Sequence, residues 1–358
     1  MVERFQDVIA LNIPNWYSNP FEVDAVDCED GVQKELIELQ NGNDATMRYR
    51  RNGKEVFDHL YKHSVHFSGL WGILPPPSRS DIWDDRNNVK YLESIEEVRS
   101  DAHFSTAYIT YGGEIHWHDV PPPRLEVLAS SLVSKLAHKK AAITVSKMVQ
   151  YMPKEIFESI TKSKGVGVFA KSEGPTIYPE FKRFADLPEC KGKCDGLCQI
   201  TCTHDGRKYE RVAGLTLSRS VCLDHVVLCD DQDPYRSHEN CLSHELGHLI
   251  MSYIPKSWTK KIYEAYQYAK KNSIWELKAY AMSNAQEYWA EGTGAFFRSN
   301  LLTYAAGKMN MCNQTALCST EMDARDNLRR RDAKLFEILS YVYTDNRPEL
   351  KSGMKTCM

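Results

Sequence analysis

No stretch of this 358-residue chain approaches the ~20 consecutive apolar residues that a membrane-spanning helix needs. The formal net charge is only −3, so the chain lacks the charge excess that points to nucleic acid or an anionic membrane. Internal repeats and long low-complexity tracts are missing too, so no repeat array is expected. The opening segment MVERFQDVIALNIPNW holds only a short apolar stretch, Val8 to Leu11 with Ile13, and is not a signal peptide.

Cysteine, by contrast, is plentiful. There are eleven, and seven lie between Cys190 and Cys241. That density is typical of disulfide-stapled regions in oxidising compartments. The sequon Asn313-Gln314-Thr315, flanked by Cys312 and Cys318, agrees with a glycosylated, secreted protein. A secreted or extracellular location is therefore expected, with a leader that this sequence lacks; a thiol-rich cytoplasmic protein is the alternative. CKGKCDGLCQITC spaces Cys190, Cys194, Cys198 and Cys202 four apart, which suits disulfides better than a zinc finger, partly to Cys222, Cys229 or Cys241. Connectivity does not follow from spacing. Cys28 and Cys357 are candidates for the odd thiol, and Cys312 with Cys318 suits a small closed loop.

Apolar residues make up 42% and charged residues 26%, ordinary values for a soluble globular protein. The length exceeds what one core usually supports, so two lobes are expected: residues 1–110, of unknown role, and 111–358. Pro75 to Pro77 and Pro121 to Pro123 bracket the junction. Short helices are expected at 35–39 and 54–62. Arg124 to Ile160 reads as helix, with Leu125, Leu128, Leu132 and Leu136 recurring at three and four, interrupted at Met152-Pro153. GVGVFAK (165–171) reads as a buried strand and 208–229 as one or two more. A helix start at Asp233-Pro234 or Ser237 follows. Helices are then expected at 238–252, 256–271, 285–304 and 319–343. A mixed or antiparallel sheet followed by helices is an α+β plan.

SHELGHLIM places His244, Glu245 and His248 as H-E-x-x-H. On a helix, positions i and i+4 share a face, so the two imidazoles suit one tetrahedral zinc ion. Glu245 is displaced by about 100° around the axis, too far for a ligand but within reach of a zinc-bound water. Gly247 costs roughly 1 kcal/mol of helix propensity, understandable where a helix packs tightly. A catalytic zinc needs a third protein ligand, and AYAMSNAQEYWAEGTGAFF (279–297) supplies Glu287 and Glu291, again at i and i+4. Two like charges on so apolar a helix need compensation, which a metal and two histidines provide. One carboxylate then binds zinc while the other fixes a histidine tautomer. Tyr280, seven residues before Glu287, is a candidate oxyanion donor.

HELGH followed by EYWAE resembles the gluzincin metallopeptidases, and most nearly the group of the anthrax lethal factor catalytic domain, over roughly 111–358. The shared pattern is an E-x-x-A-E helix (Glu287, Ala290, Glu291) with Tyr280 seven residues before it. The resemblance implies a zincin-like metallopeptidase domain: a small mixed sheet, an active-site helix and a mostly helical C-terminal part. It implies one catalytic Zn2+ held by His244, His248 and Glu287, Glu245 as general base, Tyr280 as oxyanion donor and Glu291 behind a ligand. The implied activity is a zinc metalloendopeptidase acting on a protein or peptide substrate. WAEGTGAFF also resembles the zinc aminopeptidase helix, which would make Glu291 the ligand; the 43-residue spacing from His248 is far longer than theirs, and their G-A-M-E-N motif is absent. A catalytically idle module of the same fold, such as a toxin lobe or binding protein, is the other alternative. His116 and His118, like His63 and His66, lack a further donor and read as surface residues. Arg329 to Arg331 reads as a solvated helix face.

Overall fold

The structure, a computed structural model, describes residues 104–203, 206–313 and 316–357. The helices expected at 35–39 and 54–62, His63, His66 and Cys28 lie outside these residues, as do Gln314 and Thr315 of the sequon.

Among the described residues, a six-stranded mixed sheet is built from strands between 104 and 223, with two helices between its third and fourth strands, and the rest of the chain is mostly helical, the α+β plan. The strands are β1 (Phe104–Ile109), β2 (Ile115–His116), β3 (Leu125–Ser130), β4 (Val166–Phe169), β5 (Gly214–Thr216) and β6 (Ser220–Leu223), in the order β2-β1-β3-β4-β6-β5. The central pairs β3–β4 and β4–β6 are parallel; β2–β1, β1–β3 and β6–β5 are antiparallel. β4 is buried at every residue, as a strand covered on both faces must be.

β1 pairs with β3 over six residues, so Phe104–Ile109 belongs to this sheet. Two sequence expectations are corrected here. First, Leu125–Ser130 is strand, not helix. LEVLAS alternates, with Leu125, Val127 and Ala129 buried, and the leucines that suggested a helical period are split by the turn. Leu132 and Leu136, beyond it, are exposed. The helical stretch reduces to α1 (Lys135–Val149), capped by Ser134, and α2 (Lys154–Ile160) after Pro153. Second, Val226 and Val227 belong to the short α3 (Asp224–Leu228), not to a strand.

α4 (Cys241–Tyr253) starts later than Asp233 or Ser237. Asn240 is its cap, accepting from the Ser243 amide at 3.1 Å. The Asp233 carboxylate instead ties the preceding turn, accepting from the amides of Tyr235 at 2.8 Å and Ser237 at 2.7 Å. α5 (Lys256–Lys271) leads to α6 (Ala285–Phe296), α7 (Glu321–Arg331) and α8 (Ala333–Thr344). The long helix expected at 319–343 is two, because the Asp332 carboxylate caps α8 and also accepts from Trp275 and Tyr288. On α7, Arg329, Arg330 and Arg331 are exposed, and Arg331 also lies over the Trp275 ring.

Four disulfides join Cys190–Cys198, Cys194–Cys202, Cys229–Cys357 and Cys312–Cys318. Cys357 is therefore not the odd thiol, and Cys222 and Cys241 are free and buried rather than partners of the upstream cluster. Such bridges belong to an oxidising compartment. Among the described residues no helix is long and apolar enough to cross a membrane.

Candidate metal centre

α4 and α6 pack at close range because the sequence keeps both faces small. A Cβ on Gly247 would stand 3.3 Å from Ala290 Cα and 3.4 Å from Thr293 Oγ1. The fully buried Trp289 closes the contact by donating its indole N–H to the Gly247 carbonyl at 2.9 Å. The propensity cost of a mid-helix glycine is thus met by helix–helix packing.

This crossing brings three of the expected residues together. His244 Nε2 and His248 Nε2 are 3.1 Å apart. Glu287 Oε2 is 3.2 Å from the first and 3.3 Å from the second. Glu287 stands at the third position of α6, whose cap Asn284 accepts from the Glu287 amide at 2.9 Å. The positive end of the helix dipole favours a carboxylate there.

Glu291 lies one turn further on and meets the other side of His244. Its Oε1 is 3.4 Å from His244 Nδ1, and its Oε2 accepts from Asn300 Nδ2 at 2.8 Å. Glu291 is 1% exposed. Glu239, which sequence reasoning passed over, sends Oε1 to 3.8 Å from the same Nδ1. It sits in the polar approach to α4, where no spacing rule singles it out. Among the described residues, two groups of three side chains able to hold a metal ion thus share His244: one with His248 and Glu287, one with Glu239 and Glu291. His116 and His118 join neither, and His116 instead contacts the Thr110 hydroxyl at 3.2 Å.

Burial alone would lower the pKa of the His244 imidazole, but Glu287 and Glu291 override it and raise it well above its ordinary value. Burial would likewise raise the Glu287 carboxyl, yet His248 and His244 hold it well below the usual range. Burial pushes Glu239 up to about 7 despite His244, with the neighbouring carboxylates adding to the rise. Glu287 Oε2 and His244 Nδ1 make no hydrogen bond of good geometry despite their short contacts.

The donor set fits a zinc ion. Ligand bonds of about 2.0–2.1 Å at tetrahedral angles place ligand atoms about 3.3–3.4 Å apart. The Nε2, Nε2 and Oε2 triangle has edges of 3.1, 3.2 and 3.3 Å. At 3.1 Å the two Nε2 atoms either share a proton on one of them or both turn lone pairs to one cation.

Glu245 lies against the edge of the sheet. Its Oε2 accepts from the Thr216 hydroxyl of β5 at 2.7 Å. Tyr280 comes from the 3-10 turn Tyr280–Met282, ahead of α6. Its ring lies 6.2 Å from that of His244, near parallel. Burial and the Glu287 carboxylate, within hydrogen-bonding reach of the phenol, raise its pKa well above the ordinary value, although half of the residue is exposed.

No family model matches the chain, and no curated protein does. Among solved structures it is similar to the PRO-PRO endopeptidase (PPEP-2) from Paenibacillus alvei, at 16% identity and a TM-score of 0.36, over 60% of this chain and 95% of that chain. A likeness of that size leaves the site to rest on the chain's own residues.

Proposed function

We propose that the chain is a zinc-dependent metalloendopeptidase. The observation that carries this is the triangle of His244 Nε2, His248 Nε2 and Glu287 Oε2, with edges of 3.1 to 3.3 Å. These three side chains would hold one Zn2+, leaving an open position as catalytic sites do. Bound there, zinc supplies a lowered water pKa and a polarised scissile carbonyl.

The chain's own residues do the rest. Glu291 accepts the His244 Nδ1 proton, which fixes the tautomer and aims the Nε2 lone pair at the ligand triangle. Glu245 takes a proton from the attacking water and returns it to the leaving amine. Tyr280 donates its hydroxyl proton to the oxyanion that forms on the substrate. Among the described residues β5 is an edge strand of the sheet, next to the helix that carries Glu245. An extended peptide added to that edge would run past the carboxylate. The position of Glu291, on the Nδ1 side of His244 and away from His248, favours Glu287 as ligand over the aminopeptidase arrangement.

The alternative is an idle module with the same zinc site. Zinc content and hydrolysis of casein, with and without chelator, separate the two. The enzyme reading expects one zinc per chain, chelator-sensitive internal cleavage, and a Glu245→Gln variant that keeps zinc but loses turnover. Bound zinc with no cleavage supports the idle module, and release of single amino acids alone supports an exopeptidase.

A further inference from the structure

Glu245 is held by a cradle on the β5–β6 hairpin that the H-E-x-x-H pattern does not contain. Gly214 and Thr216 alternate along β5 and so share a face, the one turned to α4. Ser220 of β6 is the register partner of Thr216. Thr216 Oγ1 lies 2.7 Å from Glu245 Oε2, 3.0 Å from the Glu245 carbonyl and 2.8 Å from Ser220 Oγ. Ser220 Oγ donates to the Glu245 carbonyl at 2.7 Å. A threonine hydroxyl has one proton to give. With the carbonyl already served by Ser220, that proton goes to the carboxylate, the shortest of the three contacts and the only charged acceptor.

Gly214 completes the cradle from the other side. A Cβ there would stand 2.6 Å from Glu245 Oε1 and 2.4 Å from Cys241 Sγ. No side chain larger than hydrogen fits while Glu245 stays where it is. The carboxylate is therefore held at one oxygen by Thr216 and fenced at the other by a bare backbone.

We infer that Thr216 and Gly214 are positioning residues for the general base: Thr216 fixes the Glu245 carboxylate through its hydroxyl, and Gly214 leaves the room for it. This rests on the endopeptidase reading for its kinetic consequence but not for its geometry. Fixing the base on the edge strand also couples it to a substrate strand laid on that edge, since both would share β5.

The test compares wild type with Thr216→Val, Thr216→Ser and Gly214→Ala, using a peptide that wild type cleaves, zinc content by metal analysis, and a crystal structure of each zinc-loaded variant. Thr216→Val keeps shape and removes the proton. Its kcat is expected to fall about 10- to 100-fold, the size that follows from one hydrogen bond to a charged group, with KM within a few-fold and zinc at one per chain. Thr216→Ser is expected to recover most of the loss. Gly214→Ala is expected to lower kcat by displacing the carboxylate from the other side, again with zinc retained. In the Thr216→Val crystal structure the Glu245 carboxylate should leave its wild-type position. Wild-type kcat in Thr216→Val, or a carboxylate unmoved in its crystal structure, overturns the inference. Inactivity of the wild type would count against the endopeptidase reading, and the crystal structures would still decide where the carboxylate goes. If Thr216→Val does not fold, the pair Thr216→Ser and Gly214→Ala decides: an inactive Thr216→Ser, or an unmoved carboxylate and wild-type kcat in Gly214→Ala, overturns it.

Discussion

Replacing Glu291 by glutamine distinguishes its role from that of Glu287 and has two consequences that follow from its contacts. Glu291 is 1% exposed; its Oε2 accepts from Asn300 Nδ2 at 2.8 Å, and its Oε1 faces His244 Nδ1 at 3.4 Å. A glutamine amide has only one oxygen. Whichever way it is turned, its NH2 faces a donor, either Asn300 or the His244 N–H. Leaving a buried donor unsatisfied costs about 1–3 kcal/mol, which corresponds to a Tm loss of about 2–12 °C for a domain of this size. On the proposed reading, in which Glu291 orients a ligand without being one, zinc affinity should fall about 10- to 100-fold, or about 1.4–2.8 kcal/mol. Glu287→Gln, which weakens a ligand directly, should lose more. Zinc dissociation constants from competition with a chromophoric chelator, together with thermal denaturation of the metal-free proteins, measure both effects. The double variant Glu291→Gln with Asn300→Asp restores an acceptor opposite the amide and should recover part of the Tm. Asn300 Oδ1 accepts from the Leu302 amide at 2.7 Å, a bond that aspartate keeps. The reasoning is refuted if Glu291→Gln abolishes zinc binding while Glu287→Gln stays within 100-fold of wild type.

Other outcomes follow from the packing and the bridges. Gly247→Val should destabilise the fold by about 1–3 kcal/mol through overpacking, because even a Cβ meets Ala290 and Thr293 at 3.3 to 3.4 Å; urea denaturation checks it, and an unchanged midpoint would contradict the close α4–α6 contact. Removing the Cys229–Cys357 bridge, which spans 128 residues, by a double serine variant should cost about 2–5 kcal/mol, read from the same titration. His138 donates from Nε2 to the Val127 carbonyl at 2.8 Å, and burial lowers its pKa despite that bond. Its folded value lies below its unfolded value of about 6.5, so its contribution is steady above that pH. Stability should then decline as pH falls below about 6.5, where the unfolded chain takes up a proton that the native state refuses. His138→Gln should flatten that part of the stability–pH curve, and an unchanged slope would exclude the role.

How much of this was legible in the sequence differs between fold and site. The parallel centre was readable where it was fully buried, as in GVGVFAK, because an unbroken apolar run has few other uses. LEVLAS was not, since leucines three and four apart satisfy a helical period even when alternate residues face the core. Only tertiary pairing with Phe104–Ile109 decides it. Asp233 showed a good capping residue spent on a turn instead, a choice between local hydrogen bonds that spacing does not reveal. At the site, His244, His248 and Glu287 were expected together because zinc chemistry demands them at helical spacing, and they do lie within hydrogen-bonding distance of one another. Glu239 and Thr216 were not foreseen. Each reaches the site from a segment whose local sequence carries no metal or base signature, and each matters only through the fold. The paired cysteines followed from density, but Cys222 and Cys241 remain free, which no spacing argument anticipated.

Anomalous scattering at the zinc edge from crystals of the zinc-loaded protein tests the central claim most directly. One ion should appear among His244 Nε2, His248 Nε2 and Glu287, with Glu291 outside its ligand set. An ion instead among Glu239, Glu291 and His244 Nδ1, or no ion at all after loading, would contradict the account.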